Sequence, residues 1–357
     1  MNSRPSSPAL TAASRQRLWQ ELDMLCGLGL GLAPVAPEVC AVLRMLVGAD
    51  AAALFWMDGQ GLPEGFHHED SPASAQDLFL NEFQQLFVGP HETNVLALAR
   101  PDGPRVGRLM APDARYFRSN SYNLLVRASG HHHTLDLRVE AQGRTRAIAA
   151  LFRAPGKGFG DAEAALLERA SASLARAFPH TPPARPWDTG LNSPVGHVLF
   201  DAANQQPQLA DTTAIQLLRQ ANLLGLGVHG TAATAVLHDL PRRLGKPPQG
   251  AERIPMPGGW LAADAHTLHP MAGGAQQLLV TLQLLRPRGI GVVRRVFELP
   301  LSPLQREIAL LAGLGHARTD CTERTGVGSA ALKKHLRTIF AATGTSGWDD
   351  LGHTLRT

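Results

Sequence analysis

Apolar and polar positions change their rhythm several times along this chain. From Arg15 to about Leu30, Leu18, Leu22, Leu25 and Cys26 keep the spacing of an amphipathic helix, and Val39, Val42, Leu43 and Leu46 repeat it over 36–47. "DAAALFWMDGQG" (50–61) is a continuous apolar run closed by Asp-Gly, the pattern of a buried strand entering a turn. Helical spacing returns over 73–88, with Leu78, Phe83 and Phe87 among the apolar positions. Alternation over 133–154 around Gly143 predicts a hairpin. "GFGDAEAALLERASASLARAF" (158–178) predicts a helix with Asp161 as N-cap and Glu163 in its first turn.

A Pro-rich joint over 179–194 breaks the pattern. Beyond it, 196–220 reads as strand, polar turn and helix, and a Gly-, Pro- and charge-rich loop covers 239–258. Strand-like runs follow at 259–267, 276–285 and 289–300. The arginines at 286, 288, 294 and 295 either add phosphate contacts or flank a surface strand, and the second is favoured. From Ser302 onward everything is helical. No repeat of sequence is found.

The last segment is punctuated residue by residue. In "LSPLQREIALLAGLG" (301–315) Ser302 is the cap, Pro303 occupies the first helical position and Gln305 closes a capping box. Ile308, Leu311 and Ala312 form the buried stripe, and Gly315 stops the helix. A second helix over about 317–325 ends at Gly326, and a third runs from Gly328 or Ser329 to about Ala342. A fourth opens at "SGWDDL", with Ser346 and Asp349 spaced as a cap pair. Helix, short Gly turn and helix is the arrangement of a helix-turn-helix.

Composition sharpens this picture at one place. The 357 residues are 44% hydrophobic and 18% charged with a formal charge of +4, values of a folded chain of two or three domains. Among 34 Lys and Arg residues only four are lysines, and two of those, Lys333 and Lys334, stand together on the third helix with Arg337 one turn on. Between Ser329 and Ala342 there is no acid. Leu332, Ile339 and Phe340 face inward, which leaves the three cations on the outer face. Such a face neutralises phosphates and reads base edges.

The residues carry a likeness as well. "LSPLQREIALLAGLG", "GVGSAALKKHLRTIF" and the Thr-Gly pair at 343–344 resemble the LuxR/GerE-type DNA-binding domain, ungapped from Leu301 to Leu351. The resemblance implies a four-helix unit whose third helix enters the major groove of double-stranded DNA, and a fourth helix that often serves a dimer contact. By position it implies DNA contacts at Lys333, Lys334, Arg337, Ser329, Arg318 and Thr319. The chain departs from the family at Ala317, usually a Ser cap, at Cys321, usually a large aliphatic, at Thr325, usually Leu, and at Ala342-Thr343, usually a basic-Leu pair. The missing cap costs about 1 kcal/mol, and the weakened core positions a further ~1–3 kcal/mol. Asp320 and Glu323 oppose phosphate binding.

Upstream, 15–178 resembles a GAF domain and 195–298 a PAS domain in the order of their elements. They imply sensing of a small molecule or a protein partner, and pairing into a homodimer. The expected architecture is therefore α+β and multidomain: a flexible leader at 1–14, a GAF-like domain at 15–178, a linker at 179–194, a PAS-like domain at 195–298 and the helix-turn-helix at 301–357.

Other chemistry is sparse. The triplet His131–His133 cannot converge on a metal along a strand, because neighbouring side chains point to opposite faces; it reads as an exposed strand lead. Imidazoles need a converging geometry and usually a carboxylate or thiolate companion, so metal binding is the minor reading for His266 and His269 as well, and His335 is a packing residue. "GLGLGL" (27–32), "PGKGF" and "LGKPP" fall short of nucleotide-binding loops, and no catalytic motif or cofactor signature is found. Cys26, Cys40 and Cys321 form no metal spacing and fit a reducing cytoplasm. The longest apolar run, 24–37, is too short to span a membrane. A transcriptional regulator is the favoured reading, and a drifted helix-turn-helix that serves protein interaction or dimerisation is its rival.

Overall fold

The structure is a computed structural model, which describes residues 10–89, 91–181, 187–188, 193–204, 206–224, 252–271 and 273–357. Most of the expected leader and linker, and of the charged loop at 239–258, lies outside these residues. The chain is a mixed α/β protein with two antiparallel sheets and a helical C-terminal part. Among the described residues no helix is long and apolar enough to cross a membrane.

The first sheet consists of β1 (Ala51–Met57), β2 (Pro63–His68), β3 (Val106–Gly107), β4 (His133–Ala141) and β5 (Arg144–Arg153), in the order β2-β1-β5-β4-β3. Alternate residues of its central strands point to opposite faces. On one face Leu54, Trp56, Leu135, Leu137 and Leu151 pack against α1 (Ala12–Gly27), α2 (Ala36–Val47) and α5 (Asp161–Ala175). On the other lie α3 (Ala73–Leu86), the single turn α4 (Val95–Leu98), a 3-10 turn at Ala114–Arg118 and a π-helical turn at Ser121–Val126. The N-cap of α5 is Gly160, with Asp161 the first helical residue. Glu163 reaches back to accept from the Gly160 amide at 3.1 Å, so the acid caps from inside the helix.

The short β6 (Trp187–Asp188) pairs with the last strand of the second sheet. That sheet comprises β7 (Val195–Asp201), β8 (Pro207–Ala210), β9 (Glu252–Met256), β10 (Gly259–Leu268) and β11 (Gln277–Pro287), in the order β8-β7-β11-β10-β9. Counted within each sheet, both read 2-1-5-4-3. The polar turn expected after β7 is thus followed by a further strand, β8, before α6 (Thr212–Gln220). Asp211 caps α6 by accepting from the Ala214 amide at 2.7 Å.

The expected strand at 289–300 is a helix, α7 (Arg288–Glu298). Val, Val and Phe raise strand preference there. In the helix Ile290, Val293 and Phe297 form one stripe and Val292 and Val296 another, and both are buried. α7 lies between two bodies: it packs on α1 and also on α8 (Pro303–Gly313) and α11 (Trp348–Arg356). α9 (Arg318–Thr325) and α10 (Ser329–Thr343) complete the C-terminal unit. One continuous apolar core runs from the helical face of the first sheet through α7 into this unit, while the second sheet and α6 keep a core of their own.

Candidate functional site

The cap of α8 forms as its sequence directs: the Ser302 amide donates to Gln305 Oε1 at 2.8 Å, and the Gln305 amide to Ser302 Oγ at 3.4 Å. α9 starts at Ala317 without a side-chain cap. Thr325 Oγ1 donates to the Cys321 carbonyl at 2.6 Å, which satisfies its hydroxyl. Gly326 takes a left-handed φ of +67° and turns the chain from α9 into α10, a conformation in which any Cβ is strained. At α11 the expected Ser346–Asp349 pair gives way to Ser346 and Asp350. The Ser346 amide donates to Asp350 Oδ2 at 2.8 Å, because the helix begins only at Trp348 and Asp350 is the acid that faces back. Trp348 Nε1 pins α11 to the loop before α9 by donating to the His316 carbonyl at 2.8 Å.

Leu332, Leu336 and Ile339 bury one face of α10. Lys333, Lys334 and Arg337 are exposed on the remainder, and among the described residues none of the three has an ion pair or hydrogen bond. Ser329, at the start of α10, is exposed too. Arg318 and Thr319 are exposed at the start of α9, where Thr319 Oγ1 donates to Asp320 Oδ1 at 3.3 Å. No hydrogen bond links that pair to the α10 cations. Many arginines elsewhere are committed: Arg138 to four carbonyls and Glu140, Arg153 to Glu163 and three carbonyls, Arg294 to Glu38. The α10 cations are unspent.

The contact between this unit and the first α/β body is polar as well as apolar. Arg17 donates to the Phe297 carbonyl, and the Arg17 and Arg306 guanidinium groups lie 5.7 and 4.9 Å from the Phe297 ring centre. Gln20 bridges, donating to the Pro303 carbonyl at 2.7 Å and accepting from Arg306 at 3.1 Å. Beside this clamp a groove of about 530 Å³ runs between α1 and the α8–α9 pair, lined in part by Trp19, Met24, Leu310 and Leu314.

A second candidate site lies beneath α3. Phe79, Phe83 and Phe87 of that segment face Phe55, Phe66 and Phe152 of the sheet and line a partly open cavity of about 60 Å³. The rings touch in sequence, Phe55–Phe66 at 5.8 Å, Phe66–Phe79 at 5.1 Å and Phe79–Phe83 at 5.2 Å between centres. His68 stands in the lining and stacks on Phe152 at 4.9 Å. Asp70 joins His68 Nδ1 at 3.3 Å to His131 Nε2 at 3.0 Å. Partial burial pushes the Asp70 carboxyl up, but the hydrogen bonds from His68 and His131 outweigh it and hold the group down at about 2.

The histidine triplet is therefore not an exposed strand lead. His131 is buried against Asp70 and Phe152, His132 meets the Tyr122 hydroxyl at 2.7 Å and His133 the Gly156 carbonyl at 3.0 Å, so the three rings part. His266 lies 3.2 Å from Asp264, and His269 is near Gln276. Sequence reasoning missed His68 and Asp70; Asp70 meets His131 from 61 residues along the chain, a pairing that carries no local signal.

No protein-family model matches the chain, and no curated protein matches it. Among solved structures, one of the E. coli DhaR(N)–DhaL complex aligns at 13% identity over 79% of this chain and 93% of that chain, with a TM-score of 0.19, a likeness too slight to carry any argument.

Proposed function

We propose that the chain is a DNA-binding transcriptional regulator of the LuxR type, with α/β bodies, GAF-like then PAS-like, that sense a signal and control how its C-terminal units pair. The observation that carries this reading is the unspent, acid-free cationic face of α10, presented on a helix that follows a tight Gly326 turn. Lys333, Lys334 and Arg337 supply phosphate and base contacts in the major groove, with Ser329, Arg318 and Thr319 at the flanking helix starts. Two copies bring two such helices to successive grooves. Signal reaches them through α7, which the clamp of Arg17, Phe297 and Arg306 ties to the first body.

Binding of the full chain to duplex DNA from its own upstream region, at 50 and 200 mM salt, tests this. Three phosphate contacts per chain, six for the pair, predict a loss of about 2,000-fold between the two conditions, and the Lys333→Ala/Lys334→Ala variant, with two contacts left for the pair, a loss of only about 12-fold. Negligible binding by both folded proteins would sink the reading. The groove beside α1, with Leu314 39% exposed at its rim, favours the rival role in protein interaction, for which self-association indifferent to salt is the expected sign.

A further inference from the structure

The cavity beneath α3 has a chemistry that selects its occupant. None of its lining residues carries a fixed charge: the wall is six phenylalanines with Ala75, Val95, Met110, Leu125 and Val126, and the polar members are His68, Ser71, Gln76, Thr93, Asn94, Ser121 and Ser129. An ionised ligand would enter without a counter-charge, so the ligand is neutral. Several of the polar groups are already bonded. Ser121 Oγ donates to Glu92, Asn94 Nδ2 to the Phe87 carbonyl and Ser129 Oγ to the Leu125 carbonyl.

His68 is different. Its Nδ1 is turned to Asp70, whose carboxyl is 46% exposed on the outer side, so Nε2 points the opposite way across the ring. Nothing among the described residues bonds that Nε2. His68 Nδ1 faces two groups of Asp70, the backbone amide at 3.4 Å and the carboxylate at 3.3 Å; the carboxylate, being charged, is the stronger partner and selects the Nδ1–H tautomer, which leaves a lone pair on Nε2. The site therefore offers His68 Nε2 as a hydrogen-bond acceptor in a nest of aromatic rings.

Size narrows the choice further. One water needs roughly 10–15 Å³ of such space, so about 60 Å³ holds four to six water-sized groups, a single six-membered ring with one small substituent. Ring faces and edges 5–6 Å apart favour an aromatic guest over an aliphatic one.

We propose that this cavity binds a small monocyclic phenol, with its ring among Phe55, Phe66, Phe79 and Phe83 and its hydroxyl donating to Nε2 of His68. This deepens the sensing half of the proposed function and is independent of the DNA half.

Calorimetric titration of the full chain with phenol, anisole, toluene and 1-naphthol tests it without any variant. Phenol binds one molecule per chain. Anisole and toluene, which lack the donor, bind about tenfold more weakly, the worth of one buried hydrogen bond. 1-Naphthol is excluded by size. Anisole binding as tightly as phenol overturns the role of His68, and no heat with phenol overturns the site. In His68→Leu phenol falls to the level of toluene, and in Ala75→Phe, which fills the cavity, binding is lost; phenol binding retained by a folded Ala75→Phe protein places it elsewhere and also overturns the proposal. Salt-dependent DNA binding, measured on the same sample without phenol, separates the two ideas: intact DNA binding without phenol binding removes only this inference, and the converse removes only the reader.

Discussion

Two sheets with the same strand order have been filled in opposite ways. On the inner face of the second sheet Val198, Phe200, Leu261, Val280 and Leu282 interlock with Ala214, Leu217 and Leu218 of α6. The approach is so close that a Cβ on Gly196 would sit 2.3 Å from the Ala214 nitrogen. The corresponding face of the first sheet has alanines at its centre, Ala51, Ala53 and Ala150, with a buried carboxyl, Asp136, paired across from Ala150. On the same face, Phe55, Phe66 and Phe152 of the sheet line the cavity under α3. The first sheet is also the one fused through α7 to the helical unit. Topology is thus shared, while packing decides which body is built for stability and which for a guest.

The largest expected contrast is between two phenylalanines. Phe200→Ala empties a site with no room to relax and costs the second body about 3–5 kcal/mol. Phe83→Ala removes a half-buried ring from the rim of an existing cavity and costs about 1 kcal/mol. Amide exchange at β7 and at β1 reads each body separately. Equal losses would mean that the first body is packed as tightly as the second.

Asp136 sharpens the contrast through pH. Complete burial pushes its carboxyl up to about 7, against the opposing pull of the Met110 amide, which donates to it at 2.8 Å, and of the Thr134 hydroxyl and the Leu109 amide. Folding therefore holds a proton that the unfolded chain has released above its ordinary value near 3.8, so stability falls as pH rises from about 4 to 7 and then levels off. Asp136→Asn keeps an acceptor for Met110 and has no charge to bury. It gains on the order of 3 kcal/mol at pH 8, and nothing near pH 3. Urea midpoints of the two proteins at both pH values check this. A variant whose midpoint tracks the parent at all pH values would show that Asp136 is solvated or paired.

What sequence made legible was local. The capping box at Ser302, the Gly326 turn and the inward Leu332 and Ile339 are each decided within a few residues, and the structure has them. The hairpin over 133–154 was equally plain from alternation. α7 was misread because Val292, Val293 and Val296 prefer strands when judged alone, and only burial between two bodies makes both of their stripes useful. Asp136 looked like one more polar member of an alternating strand, yet its face is covered by α3 and the turns beside it. His131 looked exposed for the same reason. The pocket itself was illegible, since His68, Phe79 and Phe152 meet only after the sheet has closed.

The two bodies also touch, and the contact is small enough to isolate. Asn222, just after α6, adopts a left-handed φ of +58° and accepts from the Phe66 amide at 2.8 Å, which caps an edge-strand donor of the first sheet with a side chain of the second body. Asn222→Ala removes the hydrogen bond and keeps a Cβ at positive φ without the tolerance of that region that Asn has, whereas Asn222→Gly removes the bond and relieves the strain. The glycine variant is expected to lose about 1 kcal/mol and the alanine variant about 1 kcal/mol more. In both, the Phe66 amide exchanges faster while amides of β5 do not. Unchanged Phe66 protection in Asn222→Gly would mean that the bodies are held by their other contacts, Arg219 with Asp77 among them at 3.4 Å, and that the edge of the hollow sheet needs no cap from the solid one.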